Sequence, residues 1–409
     1  MQRMRSLAEG LVATGHEVVY LTSEADCSDD RFTVVSVPYV SIGGRAKNAV
    51  NLEAEANLAA AARSRGLLLE KLVRFAARAY EAAFLYPDKY RGWIPTVRGW
   101  LSTAPPEISG ADAVIASMMP VTALVIGRAV ADAAGAPLVV DFRDLWTGNA
   151  QYGLGPLRRA IDRGTERRIM RSADAVTTVT GHLQAELTET LHAVRPGREV
   201  VLVHTGVDPE PWEAARRVPD GVLRFGHTGV WMGGRRTLRP LLESLRRLAD
   251  AGDIDLARVR LDMWGEIDEQ LLTDARATGT DGVLTYHGRV LMDDLPAALS
   301  TVDVALVPTW PADVWSIPLK TFQYLAAGKT ILFIDSSADS EMRRLVAGLP
   351  GIDANDTPAT LDANVTRYFE AVCRDGGTLD WDLAERPVPV TPDTMAEQFL
   401  SAIEEARAR

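Results

Sequence analysis

The chain has 409 residues, too many for one ordinary core, so two domains are expected. Hydrophobic residues at 47% and charged residues at 24% are usual for a soluble globular protein. The net charge of −11 argues against a nucleic-acid partner, which requires a basic surface.

Its two cysteines, Cys27 and Cys373, are far apart and have no metal-ligand spacing, so a reduced, cytoplasmic setting and no metal site are expected. No apolar run approaches the roughly 18 residues of a spanning helix. The opening residues do not read as a secretory signal.

Met1 to Thr14 reads as an amphipathic helix with Met4, Leu7, Leu11 and Val12 on one face. Gly15 ends it, and a strand follows at Val18–Leu21. A doubly wound sheet opens with a strand and a Gly-rich turn before its first helix. That first strand is missing here, and the expectation is that the true start lies upstream of Met1.

Further strands are expected at Val34–Val37, Ala113–Ser117, Leu138–Asp141, Val176–Val179 and Val200–Val203. Helices are expected at Val121–Ala134 and Leu157–Arg171. The second half carries strands at Leu223–His227, Val259–Trp264, Val283–His287, Val304–Val307 and Thr330–Ile334. Helices there fall at Leu238–Ala249, Glu269–Ala277, Leu295–Leu299 and Leu319–Ala327. Apolar strands alternating with helices imply an α/β fold whose parallel sheets are covered on both faces.

The segment Asp208–Gly221 carries three prolines and little periodicity, which suits a hinge. The expected division is 1–208, then 209–393, then a C-terminal helix at 394–409. The Ala/Arg/Leu-rich segment Leu52–Arg91 reads as long helices with Arg63, Arg65, Lys71, Arg74 and Arg78 as basic residues. It is open to two readings, a surface helix pair or a basic amphipathic face for peripheral membrane contact.

Ligands of open parallel sheets bind beyond the C-terminal strand ends. Two loops there carry phosphate-handling residues. The first is Gly226-His-Thr-Gly-Val-Trp-Met-Gly-Gly-Arg-Arg-Thr. Gly229, Gly233 and Gly234 let backbone approach a ligand, and Thr237 is a candidate N-cap. Arg235 and Arg236 sit beside a helix N-terminus, where a bound anion would offset the unfavourable dipole. An ordinary Gly turn with solvated arginines is the other reading.

The second loop is Ser316-Ile-Pro-Leu-Lys-Thr-Phe-Gln-Tyr-Leu-Ala-Ala-Gly-Lys. Pro318 and Gly328 bound a short helix. Lys320 falls in its first turn, and Gln323 lies three residues on, along the same side. Together they could reach a phosphate and a sugar hydroxyl of one ligand. A surface lysine beside a core-packing glutamine is the plainer alternative.

These landmarks resemble those of the retaining, two-domain "group 1" glycosyltransferases, whose GT-B fold pairs two Rossmann-like domains across a cleft. Further landmarks in the family's order are Arg3 to Leu11 with Gly15-His-Glu-Val, Asp141-Phe-Arg-Asp-Leu-Trp, Ala173-Asp-Ala-Val, Thr205-Gly-Val-Asp, Gly288-Arg-Val with Leu295-Pro, and Ala298 to Pro308. The block Ser316–Gly328 is the most specific.

The resemblance implies a nucleoside diphosphate sugar bound mainly to the second domain. It implies a diphosphate gripped by Arg235 or Arg236 and by Lys320, with no metal or other cofactor required. It implies donor contacts near His287 and Arg289, and at Trp315, Ser316, Ile317, Pro318 and Gln323. Arg143 and Asp144, beside Asp141 at a strand end, would position a hydroxyl acceptor for front-face attack. That acceptor would be a lipid-linked saccharide or a soluble small molecule.

Departures stand at Trp315 and Gln323, where many relatives carry Glu. Glutamine still hydrogen-bonds a ribose but has no carboxylate, so Gln323→Glu is expected to be tolerated. Thr205 replaces the usual Asn. Two other readings stay open. One is a different enzyme of the same fold, a pseudo-glycosyltransferase or a sugar-nucleotide epimerase. The epimerase lacks support because His204, His227 and His287 show no acidic partner in sequence. The other is a catalytically silent, nucleotide-binding partner.

Overall fold

The computed structural model describes residues 2–25, 27–40, 86–149, 152–212, 216–231, 236–310 and 313–407. The basic residues from Arg63 to Arg78 lie outside these, as do Gly233, Gly234 and Arg235. Two compact units are present, 1–204 with 393–409, and 205–392. Among the described residues no helix is long and apolar enough to cross a membrane.

The first unit opens with α1 (Gln2–Ala13), whose inward face buries Leu7, Ala8 and Arg3. Strands β1 (Val19–Thr22) and β2 (Thr33–Ser36) pair in parallel as a two-stranded sheet. Then come α2 (Trp93–Leu101), β3 (Val114–Met118), α3 (Val121–Ala134), β4 (Leu138–Phe142), α4 (Pro156–Ser172), β5 (Ala175–Thr178), α5 (Gly181–His192) and β6 (Val201–Leu202). Strands β3 to β6 form a parallel sheet in sequence order. Every β4 residue is buried, as a central strand covered on both faces requires. Among the described residues no strand joins this sheet to β1–β2.

Asp141 in β4 is fully buried. Arg3 of α1 donates to both its oxygens, at 3.0 and 2.9 Å. The Ser117 and Thr177 hydroxyls donate at 2.7 and 2.9 Å. Burial pushes this carboxyl up, but the charge and hydrogen bonds of Arg3, with the two hydroxyls, outweigh it and hold it below its usual range. Asp141 therefore ties α1 to the sheet. The C-terminal helix, Pro392–Arg407, shares this corner, since the Arg3 guanidinium lies 5.4 Å from the centre of the Phe399 ring.

The second unit carries β7 (Leu223–Thr228), α6 (Arg239–Ala251), β8 (Val259–Trp264), α7 (Glu269–Thr278), β9 (Leu284–Gly288) and α8 (Leu295–Leu299). It continues with β10 (Val304–Pro308), α9 (Leu319–Ala326), β11 (Thr330–Ile334), α10 (Glu341–Leu345), β12 (Ile352–Ala354) and α11 (Pro358–Phe369). Six parallel strands run in the order β9-β8-β7-β10-β11-β12. This is the doubly wound order, and it reverses between β7 and β10. Both units are thus Rossmann-like.

The three-residue edge strand β12 was not expected from sequence, because three residues carry too little pattern to read. Of the segment Asp208–Gly221, the described residues 208–212 and 216–221 belong to the second unit, where Trp212 is 5% exposed in a core with Phe322 and Val388. The chain passes between units at 204/205 and again at 392/393.

Candidate active site

The strand order reverses between β7 and β10, and ligands of such sheets bind beyond the C-terminal strand ends at that point. Two glycines bring backbone together there. Gly229, at φ +115°, donates its N–H to the Trp264 carbonyl at 2.8 Å. Gly265, at φ +143°, donates to the Gly288 carbonyl at 2.8 Å, and a Cβ on it would meet the Gly229 carbonyl oxygen at 2.3 Å. Only glycine permits both this backbone conformation and this approach.

Lys320 enters from the first turn of α9. Pro318 is the N-cap in extended conformation, and Gly328, at φ +67°, follows the C-cap. The side chain is part-buried, and its Nζ lies 3.4 Å from Nε2 of His227. A Cβ on Gly229 would come within 2.8 Å of the same Nζ, so the glycine makes room for the amine. Burial, and then the like charge of Arg236, push the Lys320 amine down to about 7.

Arg236 donates to the Val230 carbonyl at 3.1 Å and lies 5.9 Å from the Trp310 ring centre. Its Nε is buried and has no hydrogen-bond partner among the described residues. Burial lowers its pKa, opposed by the Asp313 carboxylate. Asp313 in turn folds the preceding loop, accepting from the Ser316 hydroxyl at 2.7 Å and the Ser316 N–H at 3.3 Å. The site thus sets two cations close together with one carboxylate nearby. An anion bound between them would stabilise both charged forms.

The remaining expected residues are dispersed. Gln323 is 4% exposed and donates to the Met292 sulfur at 3.5 Å. Ile317 packs at the edge of the core, and Trp315 is exposed. Arg289 pairs with Glu266 on the surface. Thr237 accepts from the Arg239 N–H at 3.0 Å, while Leu238 holds the N-cap position itself. In the first unit Arg143 donates to the Met118 and Met119 carbonyls at 2.5 and 3.0 Å. Burial raises the neighbouring Asp144 carboxyl, against the charge of Arg143.

His287 does have an acidic partner, contrary to the sequence reading. Its Nε2 lies 2.7 Å from Asp262 of the adjacent strand β8, and its ring stacks on Trp264 at 4.7 Å and 16°. The sequence separation of 25 hides that pairing until register is known. Three residues were missed as site members. His227 is one, Asp313 another. The third is Tyr324, whose hydroxyl meets the Thr228 N–H and Oγ1, each at 2.9 Å.

Comparison with known proteins agrees with this architecture. Over 219 residues the chain is 26% identical to TuaH of Bacillus subtilis (strain 168), named as a teichuronic acid biosynthesis glycosyltransferase. That match covers 51% of this chain, and the chain spans about half, 52%, of the relative's length. A crystal structure of a glycosyltransferase from Rickettsia africae ESF-5 superposes with a TM-score of 0.57 at 12% identity, over 99% of this chain and 94% of that one. Sucrose-phosphate synthase from Thermosynechococcus elongatus gives 0.54 at 12% identity, over 99% and 88%. These structures share the GT-B fold of two Rossmann-like domains. The glycosyl transferase 4-like domain matches residues 2–206, half of the chain, and the protein belongs to that family of glycosyltransferases.

Proposed function

We propose that this protein transfers a sugar from a nucleoside diphosphate sugar to a hydroxyl acceptor, with retention of anomeric configuration. The observation that carries the proposal is the pair Lys320 and Arg236 beside Gly229 at the switch point of the second unit's sheet. Two cations set close together suit a diphosphate, and they stabilise it most as it leaves with added charge. No metal has to supply that stabilisation. The family resemblance also offers Arg235, which lies outside the described residues, as the arginine of that grip.

Retention and the roles of Arg143 and Asp144 toward the acceptor come from the family resemblance. So does front-face attack, in which the departing phosphate takes the acceptor proton. The name of TuaH supports a saccharide acceptor in polysaccharide biosynthesis. A soluble small-molecule acceptor is the competing choice.

A thermal-shift panel with UDP, GDP, dTDP, CDP and ADP tests the donor site. A ligand at 100 times its dissociation constant stabilises the fold by about 2.7 kcal/mol. One diphosphate is expected to stand out. If none shifts the protein, the donor-site reading fails. If one binds but no nucleotide sugar yields product with any saccharide acceptor offered, the silent-partner reading replaces the transferase. Anomeric coupling in the product's NMR spectrum checks retention.

A further inference from the structure

His227 is completely buried at the end of β7, under the Trp231 ring, whose centre lies 4.5 Å from its own. Its Nδ1 lies 3.1 Å from the Leu306 carbonyl of β10. A carbonyl oxygen only accepts, so Nδ1 must carry the proton. In a neutral ring Nε2 is then a lone pair, and it faces the Lys320 amine at 3.4 Å. Burial, then the charge of Lys320, keep this imidazole neutral by holding its pKa well below the usual value, despite the Leu306 carbonyl.

Among the described residues the Lys320 amine has no other hydrogen-bond partner. Among the described residues the charged group that acts on it is Arg236, from the loop after β7, which itself interacts with Asp313 in the loop after β10. On its own helix the nearest titratable group is Tyr324, whose hydroxyl is engaged by Thr228. Nothing in this set except the His227 lone pair accepts a hydrogen bond from the amine.

We infer that His227 is a positioning residue for Lys320. Its imidazole, fixed as the Nδ1–H tautomer by Leu306, holds the amine through Nε2, so that anion binding at this site is coupled to uptake of one proton by Lys320. The inference rests on the donor-site reading above and adds the device that aims and charges the lysine. On binding, the amine takes a proton from solvent and donates to the diphosphate, and no other bond changes. Because the empty-site amine titrates near neutrality, affinity falls as pH rises above about 7.

Calorimetry with UDP-glucose, GDP-mannose and dTDP-glucose, in buffers of differing ionisation enthalpy, tests this. A diphosphate diester lacks the second ionisation that a monoester shows near about pH 6, so the proton count reports the protein. The wild type is expected to take up close to one proton at pH 8 and close to none at pH 6. His227→Gln places an acceptor near the Nε2 position and is expected to keep the wild-type affinity within about threefold.

His227→Asn reproduces only the Nδ1 donor. It is expected to bind about tenfold more weakly at pH 8, with the pH midpoint of binding lowered by about one unit. Should that variant fail to fold, His227→Leu supplies the same arm. An Asn or Leu variant with wild-type affinity and midpoint overturns the positioning role, and so does a wild type that takes up no proton at pH 8. If none of the three sugars binds the wild type, the donor-site reading falls first and takes this inference with it.

Discussion

A lysine amine set beside an arginine, with a neutral imidazole as its hydrogen-bond partner, is held at a cost that a bound anion would repay. Lys320→Ala is therefore expected to lower turnover by about 10²–10³-fold, the loss usual for a charge-stabilising donor, with little effect on the melting temperature. A variant retaining full kcat would remove Lys320 from the chemistry. Gln323 is a different case. Glutamate was expected to be tolerated there, but the side chain is 4% exposed against the Met292 sulfur, which cannot donate to a carboxylate. Gln323→Glu is now expected to cost about 1–3 kcal/mol in urea denaturation. An unchanged midpoint would show that Lys320, one turn away, compensates the charge.

At the scale of elements, the contact of α1 with β4 depends on one ion pair. Arg3 and Asp141 are 3% and 0% exposed, with two charge-assisted hydrogen bonds between them. Removing the Asp141 charge weakens two charge-assisted hydrogen bonds to a buried guanidinium, so Asp141→Asn is expected to destabilise the fold by about 3–5 kcal/mol. The double variant Arg3→Met with Asp141→Leu leaves no charge behind and should recover much of that loss. Equal destabilisation by the single and double variants would show that the pair acts through packing alone. Among the described residues Asp144, three residues on, makes no comparable tie, and its raised carboxyl pKa separates it from Asp141. Three acidic and basic residues at one strand end thus divide into an anchor, Asp141, and two groups beyond the strand, Arg143 and Asp144.

For the molecule as a whole, pH dependence follows from the directions of these shifts. The Lys320 amine is lowered to about 7 from 10.5. Between those values the unfolded chain binds more protons than the folded one, so for this group the empty protein gains stability as pH rises. Donor binding runs the other way, because the diphosphate favours the charged amine. The thermal shift produced by a nucleoside diphosphate sugar, which has no ionisation of its own in this range, is expected to shrink at fixed concentration from pH 6 to pH 9. A shift that stays constant across that range would mean that Lys320 does not change protonation on binding. At the acid end, Asp141 is depressed, and its contribution, present above the ordinary carboxylate range, is lost as pH falls through its folded pKa.

Local pattern carried most of the fold. The strands Val259–Trp264 and Thr330–Ile334 and the helices Val121–Ala134 and Leu295–Leu299 were readable to the residue. Their apolar runs, with glycine or proline at the borders, specify element type without any distant contact. The placement of Lys320 in a first helical turn was readable for the same reason, since Pro318 and Gly328 bound that helix within the chain itself. Tertiary structure alone decided the partners. Arg3 meets Asp141 across 138 positions, His227 meets Lys320 across 93, and His287 meets Asp262 across 25. Such pairings depend on strand order and register, which bring side chains from separate elements to one sheet edge. Periodicity says which face of a strand is buried but not which strand lies beside it, so the sequence could propose Lys320 and Arg236 as cations of a candidate site but could not place His227 beside Lys320.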